Sequence, residues 1–180
     1  MKVSIVFLED YNKVALYSVE VINEDGTRQV NEYTKFYNRM KAQGGRDARQ
    51  LMEIEELITE ICEISGAIQS RFRREGNFEA IPSHDEKDRF FDSNGTDHHG
   101  LRLYCIRVSD VFLILLNGCS KTQQNPNTCE DCQPIFSFSQ KVADAFYEAL
   151  RVTKTIEIDE RDLGLPDDSD EEEDDIILNL

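Results

Sequence analysis

The strongest constraint in this 180-residue chain is a pair of apolar runs, Leu101–Val108 and Val111–Asn117, separated only by Ser109-Asp110. Two β-branched, nearly continuous hydrophobic segments joined by so short a polar break read as a tight hairpin inside a buried sheet. Other elements must therefore cover that sheet. Leu51, Ile54, Ile58, Ile61 and Ile64 recur at spacings of three and four, which predicts a helix over about Asp47–Ser65 with Gly66 as its C-terminal cap. Asn31 can cap a preceding helix that carries Tyr33, Phe36, Tyr37 and Met40 on one face and ends at Gly44-Gly45. Val142, Ala145, Phe146, Ala149 and Leu150 mark the inner face of a late helix over Ser139–Val152.

The remaining pattern is consistent with these elements. Met1–Leu8 and Val14–Ile22 form a candidate N-terminal hairpin ending at Asn23-Glu24-Asp25-Gly26, and a short strand is expected around Phe78–Ile81. Pro82–Gly100 is polar and reads as a long mobile loop. The expectation is an α+β domain over residues 1–156: a small antiparallel sheet packed by two N-terminal helices and a C-terminal helix. Residues 157–180 read as an acidic, largely disordered tail. Its closing residues Ile176–Leu180 are too apolar for a simple solubilising end.

Charge sharpens that division. The chain has a net charge of −16, yet residues 157–180 hold 12 acids against one Arg, a net of −11, leaving −5 for residues 1–156. The folded part is only mildly acidic, so a local basic patch can still bind RNA. The longest apolar run, Val111–Leu116, is far below the roughly 20 residues of a membrane span. The N-terminus lacks the pattern of a signal peptide. These features point to a cytoplasmic protein with no membrane contact. Five cysteines is an odd number without the spacing of a disulfide scaffold, and Cys62 and Cys105 fall where small hydrophobes belong, which fits a reducing compartment.

Three local clusters carry candidate chemistry. Ser70-Arg71-Phe72-Arg73-Arg74-Glu75-Gly76 is a basic segment, read either as part of an RNA surface or as a helix-terminal charge group paired with nearby acids. His98-His99 and the isolated His84 read as solvated loop residues, with a general-base role as the sharper alternative. Cys129 and Cys132 with Cys119 offer three thiolates to zinc, but no fourth ligand stands at a customary spacing.

The wording Leu101-Arg-Leu-Tyr-Cys-Ile-Arg-Val-Ser-Asp110, followed by Val111-Phe-Leu-Ile-Leu-Leu-Asn-Gly118 and Ser120-Lys-Thr122, resembles the RelE-like toxins of bacterial toxin–antitoxin pairs (RelE/ParE superfamily, HigB-like). Phe72-Arg-Arg-Glu-Gly76 is similar to that family's "FRPEG" segment, with Arg74 where the family has Pro. The order of helix, helix, antiparallel meander and late helix over residues 31–150 agrees. The resemblance implies an mRNA endoribonuclease that needs no metal or other cofactor, acts on ribosome-bound mRNA, and is neutralised by a cognate antitoxin protein. It implies Arg107 on the scissile phosphate, Arg102, Lys121 and Arg73 as further catalytic cations, and Arg71, Arg74 and Tyr104 as RNA contacts. The chain departs from the family in having Val111-Phe112 after Asp110 and no Tyr or His beyond the last helix. The competing reading is a non-catalytic interaction or regulatory protein on such a scaffold, binding partners through its acidic surface and tail.

Overall fold

The computed structural model describes residues 1–85, 100–121, 129–164 and 176–180. Two long strands open the chain, β1 (Lys2–Asp10) and β2 (Ala15–Ile22), followed by helices α1 (Glu32–Gln43) and α2 (Gly45–Glu60). Short strands β3 (Arg73–Arg74) and β4 (Glu79–Ile81) lead into the main hairpin of β5 (Gly100–Ser109) and β6 (Phe112–Lys121). Helix α3 (Gln133–Tyr147) precedes a small hairpin, β7 (Glu157–Asp159) and β8 (Asp162–Gly164), and the chain closes with β9 (Ile176–Asn179).

The sheet is larger than the small antiparallel one expected. Seven strands run in the order β3-β4-β5-β6-β2-β1-β9. Five of the six neighbouring pairings are antiparallel, but β2 and β6 lie parallel, with Leu16 opposite Leu113, so the sheet is mixed. The parallel pair follows from the long excursion through α1 and α2 that separates its strands.

Three layers result. Leu16, Phe36, Met40, Leu51, Ile54, Leu103, Cys105, Leu113 and Leu115 form one core beneath α1 and α2. Val3, Ile5, Tyr17, Tyr104, Ile106, Phe112, Ile114, Val142 and Phe146 form the other beneath α3. Coverage on both faces explains why β6 reads as an uninterrupted apolar run rather than an alternating one.

Local sequence accounts for the helix boundaries. Asn31 caps α1 as expected, its Oδ1 accepting from the Thr34 N–H at 2.8 Å. The predicted stripe of the second helix holds through Ile61 and fails at Ile64, which is 71% exposed. Residues Ile61–Ser65 are π-helical, and the wider turn rotates Cys62 inward and Ile64 out. Helix α3 begins six residues before the expected Ser139, with Pro134 in its first turn, where a missing N–H costs nothing.

The tail boundary also moves. Residues 157–164 form the β7–β8 hairpin, and Tyr17 Oη donates to Asp162 Oδ1 at 3.2 Å. Strand β9 pairs antiparallel with β1, and Ile176 and Leu178 are buried in the α3-side core. The apolar end thus adds an edge strand to this chain's own sheet. The acidic run between β8 and β9, most of the polar loop read at 82–100, His98-His99 and Pro126 lie outside the described residues.

A register shift in β5–β6 lets Asn117 turn toward α1, where its Nδ2 donates to Glu32 Oε2 at 2.6 Å and its Oδ1 accepts from Arg39 at 2.9 Å. Next to it, a Cβ on Gly118 would overlap the Arg102 carbonyl oxygen and stand 2.7 Å from Phe36 Cε2. Backbone and a packed ring cannot both retreat. Gly118→Ala is expected to lower stability by about 1–3 kcal/mol, read as a drop in the urea midpoint at unchanged slope.

Candidate functional site

The residues singled out from the sequence separate into two groups at opposite ends of β5. Along that strand Tyr104 and Ile106 face α3, whereas Leu103 and Cys105 face α1 and α2. Arg102 has the first parity and Arg107 the second. Arg102 and Arg107 therefore do not share one site.

Arg102, Lys121 and Arg73 do come together, around Tyr104. Lys121 lies diagonal to Arg102 across the β5–β6 ladder, and Arg73 reaches the same row through β4, where Ala80 pairs with both Arg73 and Tyr104. The cluster is buried: Arg102 is 2% exposed and Lys121 8%. Arg102 donates from Nη1 to the Leu101 carbonyl at 2.9 Å. Burial, and secondarily the charge of Arg73, lowers the Arg102 guanidinium to about 10. Burial also lowers Lys121, with Arg73 and Arg102 adding to the effect. The carboxylate that opposes these shifts is Glu75, which accepts from Arg73 Nε at 2.7 Å. Tyr104 is 1% exposed and packs edge-on to Phe78 and Phe136, so its assigned role as an RNA contact fails on access.

Arg107 sits at the other end of the strand with its guanidinium already engaged. It pairs with Asp110 across the hairpin turn, donates from Nε to the Ala67 carbonyl, and reaches Gln69 Oε1 at 3.4 Å. Arg71 pairs with Glu60 at 2.6 Å, which bears out the charge-group reading for that residue. Arg74 is exposed and donates to the Gly76 carbonyl at 3.2 Å. His84 is exposed.

The sequence missed a different constellation. Past the short β3–β4 edge, a cavity of about 300 Å3 is lined by Arg74, Glu79, Tyr147, Arg151 and Gln69. Glu79 opens β4, Tyr147 ends α3, and the Arg151 guanidinium stacks 4.5 Å from the centre of the Tyr147 ring. Burial raises the Glu79 carboxyl above its ordinary value, partly offset by the Arg107 backbone N–H at 3.3 Å and by the charges of Arg107 and Arg74. Burial, with Glu79 next, also raises the Tyr147 phenol. A carboxyl tuned toward neutrality, a phenol that keeps its proton and two arginines in one polar cavity can move a proton and hold an anion.

No family model, curated protein or solved structure matches this chain. The cavity must be interpreted from its own chemistry.

The cysteines depart from the zinc and all-thiol readings. Cys119 and Cys132 are disulfide-bonded, because the end of β6 and the start of α3 bring their Cα atoms within 5.4 Å. No group of three or more metal-ligating side chains occurs among the described residues. Cys62 and Cys105 are buried thiols, as expected. Among the described residues no helix is long and apolar enough to cross a membrane.

The two halves of the Arg73 cluster should respond oppositely to neutralisation. Glu75→Gln keeps the shape and removes the acid facing three cations, so it should cost about 3 kcal/mol. Lys121→Met removes a like charge from the same interior and should be neutral or stabilising by about 1 kcal/mol. Urea unfolding of the two variants measures both signs.

Proposed function

We propose that this chain is a metal-independent endoribonuclease whose reaction centre is the Glu79 cavity rather than the hairpin cations first indicated. The observation that carries the reading is the raised Glu79 carboxyl standing in a polar cavity with Arg74, Arg151 and Tyr147. Cleaving RNA through its own 2′-hydroxyl needs a base for that hydroxyl, positive charge for the phosphorane and a donor for the leaving oxygen. Glu79 takes the 2′-hydroxyl proton, and its elevated pKa makes it a stronger base than a solvated carboxylate. The 2′-oxygen then bonds to phosphorus as the 5′-oxygen departs, leaving a 2′,3′-cyclic phosphate. Arg74 and Arg151 hold the non-bridging oxygens. Tyr147, protonated before the reaction, gives its proton to the departing 5′-oxygen, and the proton taken by Glu79 restores the phenol through solvent. Arg107 acts from behind, its backbone N–H fixing Glu79.

The resemblance to RelE-like toxins adds the expected substrate, ribosome-bound mRNA, and the expected neutralising partner, an antitoxin protein. The helix–helix–meander–helix order supports it. The buried Arg73, Arg102 and Lys121 group is, on this reading, structural rather than catalytic.

A second reading rests on the acidic run. Eight of the nine residues from Asp167 to Asp175 are acids, and both flanks are held by folded strands, β8 before and β9 after. A charge cluster presented between fixed ends suits electrostatic capture of a basic protein by a non-catalytic domain.

Induced expression in a bacterium separates the two. The nuclease reading expects growth arrest and RNA cleavage, with Glu79→Gln lowering the cleavage rate roughly 10²- to 10⁴-fold and Arg102→Met leaving it nearly intact. Absence of arrest, together with salt-sensitive partner binding lost when 167–175 is neutralised, would establish the second reading instead.

A further inference from the structure

Three of the five cysteines meet at one point of the fold, beneath the start of α3. Cys119 and Cys132 are bridged. Cys129, a third and buried sulfur, sits one turn before Cys132 at the helix entrance, its carbonyl accepting from the Cys132 and Gln133 N–H groups at 3.0 and 2.9 Å. Tyr104 ties the set together. Its hydroxyl lies 3.6 Å from Cys119 Sγ and also interacts electrostatically with Cys129. Since a bridged sulfur has no hydrogen to give, Tyr104 is the donor in that contact. The ammonium of Lys121 bears on Cys129 as well.

We propose that Cys119, Cys129 and Cys132 form a thiol–disulfide exchange site in which Cys129 is the nucleophile. Deprotonated Cys129 attacks Sγ of Cys132. The Cys129–Cys132 bond forms as the Cys119–Cys132 bond breaks, and Cys119 leaves as a thiolate. That thiolate is received by the Tyr104 hydroxyl and takes up the proton Cys129 gave. One disulfide and one thiol exist before and after, so no oxidant or reductant is consumed. Each participant has a physical reason for its place. Positive charge at Lys121 favours the attacking thiolate. A hydrogen bond to the departing sulfur favours its release. The product pair spans two intervening residues at a helix start, the spacing at which cysteines bridge readily. In one isomer the end of β6 is tied to α3, and in the other it is released.

The test uses the full chain, isolated without reductant, quenched in acid, alkylated, digested and mapped by mass spectrometry. Two isomers are expected: Cys119–Cys132 with Cys129 alkylated, and Cys129–Cys132 with Cys119 alkylated. Cys119→Ser should retain a Cys129–Cys132 bridge. Tyr104→Phe should reduce the share of the second isomer relative to the first by about three- to tenfold. A single Cys119–Cys132 species in the parent chain overturns the exchange, and so does alkylation of all three sulfurs. An isomer ratio indifferent to Tyr104→Phe removes Tyr104 from the site.

Discussion

Burial of β6 on both faces is the constraint from which the rest of the structure follows. Every residue from Phe112 to Leu116 is inaccessible to solvent, with α1 and α2 on one side and α3 on the other. Hydrophobic burial on that scale is the main favourable term in folding. It also forbids charge in the middle of the hairpin, because an ion there would lose its hydration without recompense. The basic residues of β5 are accordingly pushed toward its ends. Arg102 and Arg107 lie five positions apart, roughly 17 Å along the strand, and on opposite faces. Two guanidiniums so placed cannot clasp one phosphate, whatever the resemblance in wording.

At each strand end the charge is handled differently. Near Arg102, three cations share an interior with Glu75, and burial opposes the charged forms of both Arg102 and Lys121. That arrangement constrains packing more than it offers a reactive group. Near Arg107 the guanidinium is consumed by Asp110, Ala67 and Gln69, and its backbone N–H holds Glu79 in place. The consequence is a carboxyl at a polar cavity with two other arginines left to line it. Reactivity at this end arises because the strand's own arginine is spent on architecture.

Much of the scaffold was legible in the sequence because period and punctuation agreed with the tertiary outcome. Asn31 capped its helix, Gly44 ended it, and the Leu101–Asn117 hairpin formed, its second strand running four residues past Asn117 to Lys121. What escaped depended on non-local geometry. Ile64 fits a helical stripe in sequence, but a π-turn rotates it outward. Ile176–Asn179 looks like a loose end until β1 offers it an unpaired edge. The parallel β2–β6 pairing joins segments about 95 residues apart, beyond any local signal. Glu79 and Tyr147 read as an ordinary strand residue and an ordinary helix residue. Only the meeting of β4 with the end of α3, and the burial that raises Glu79, sets them apart.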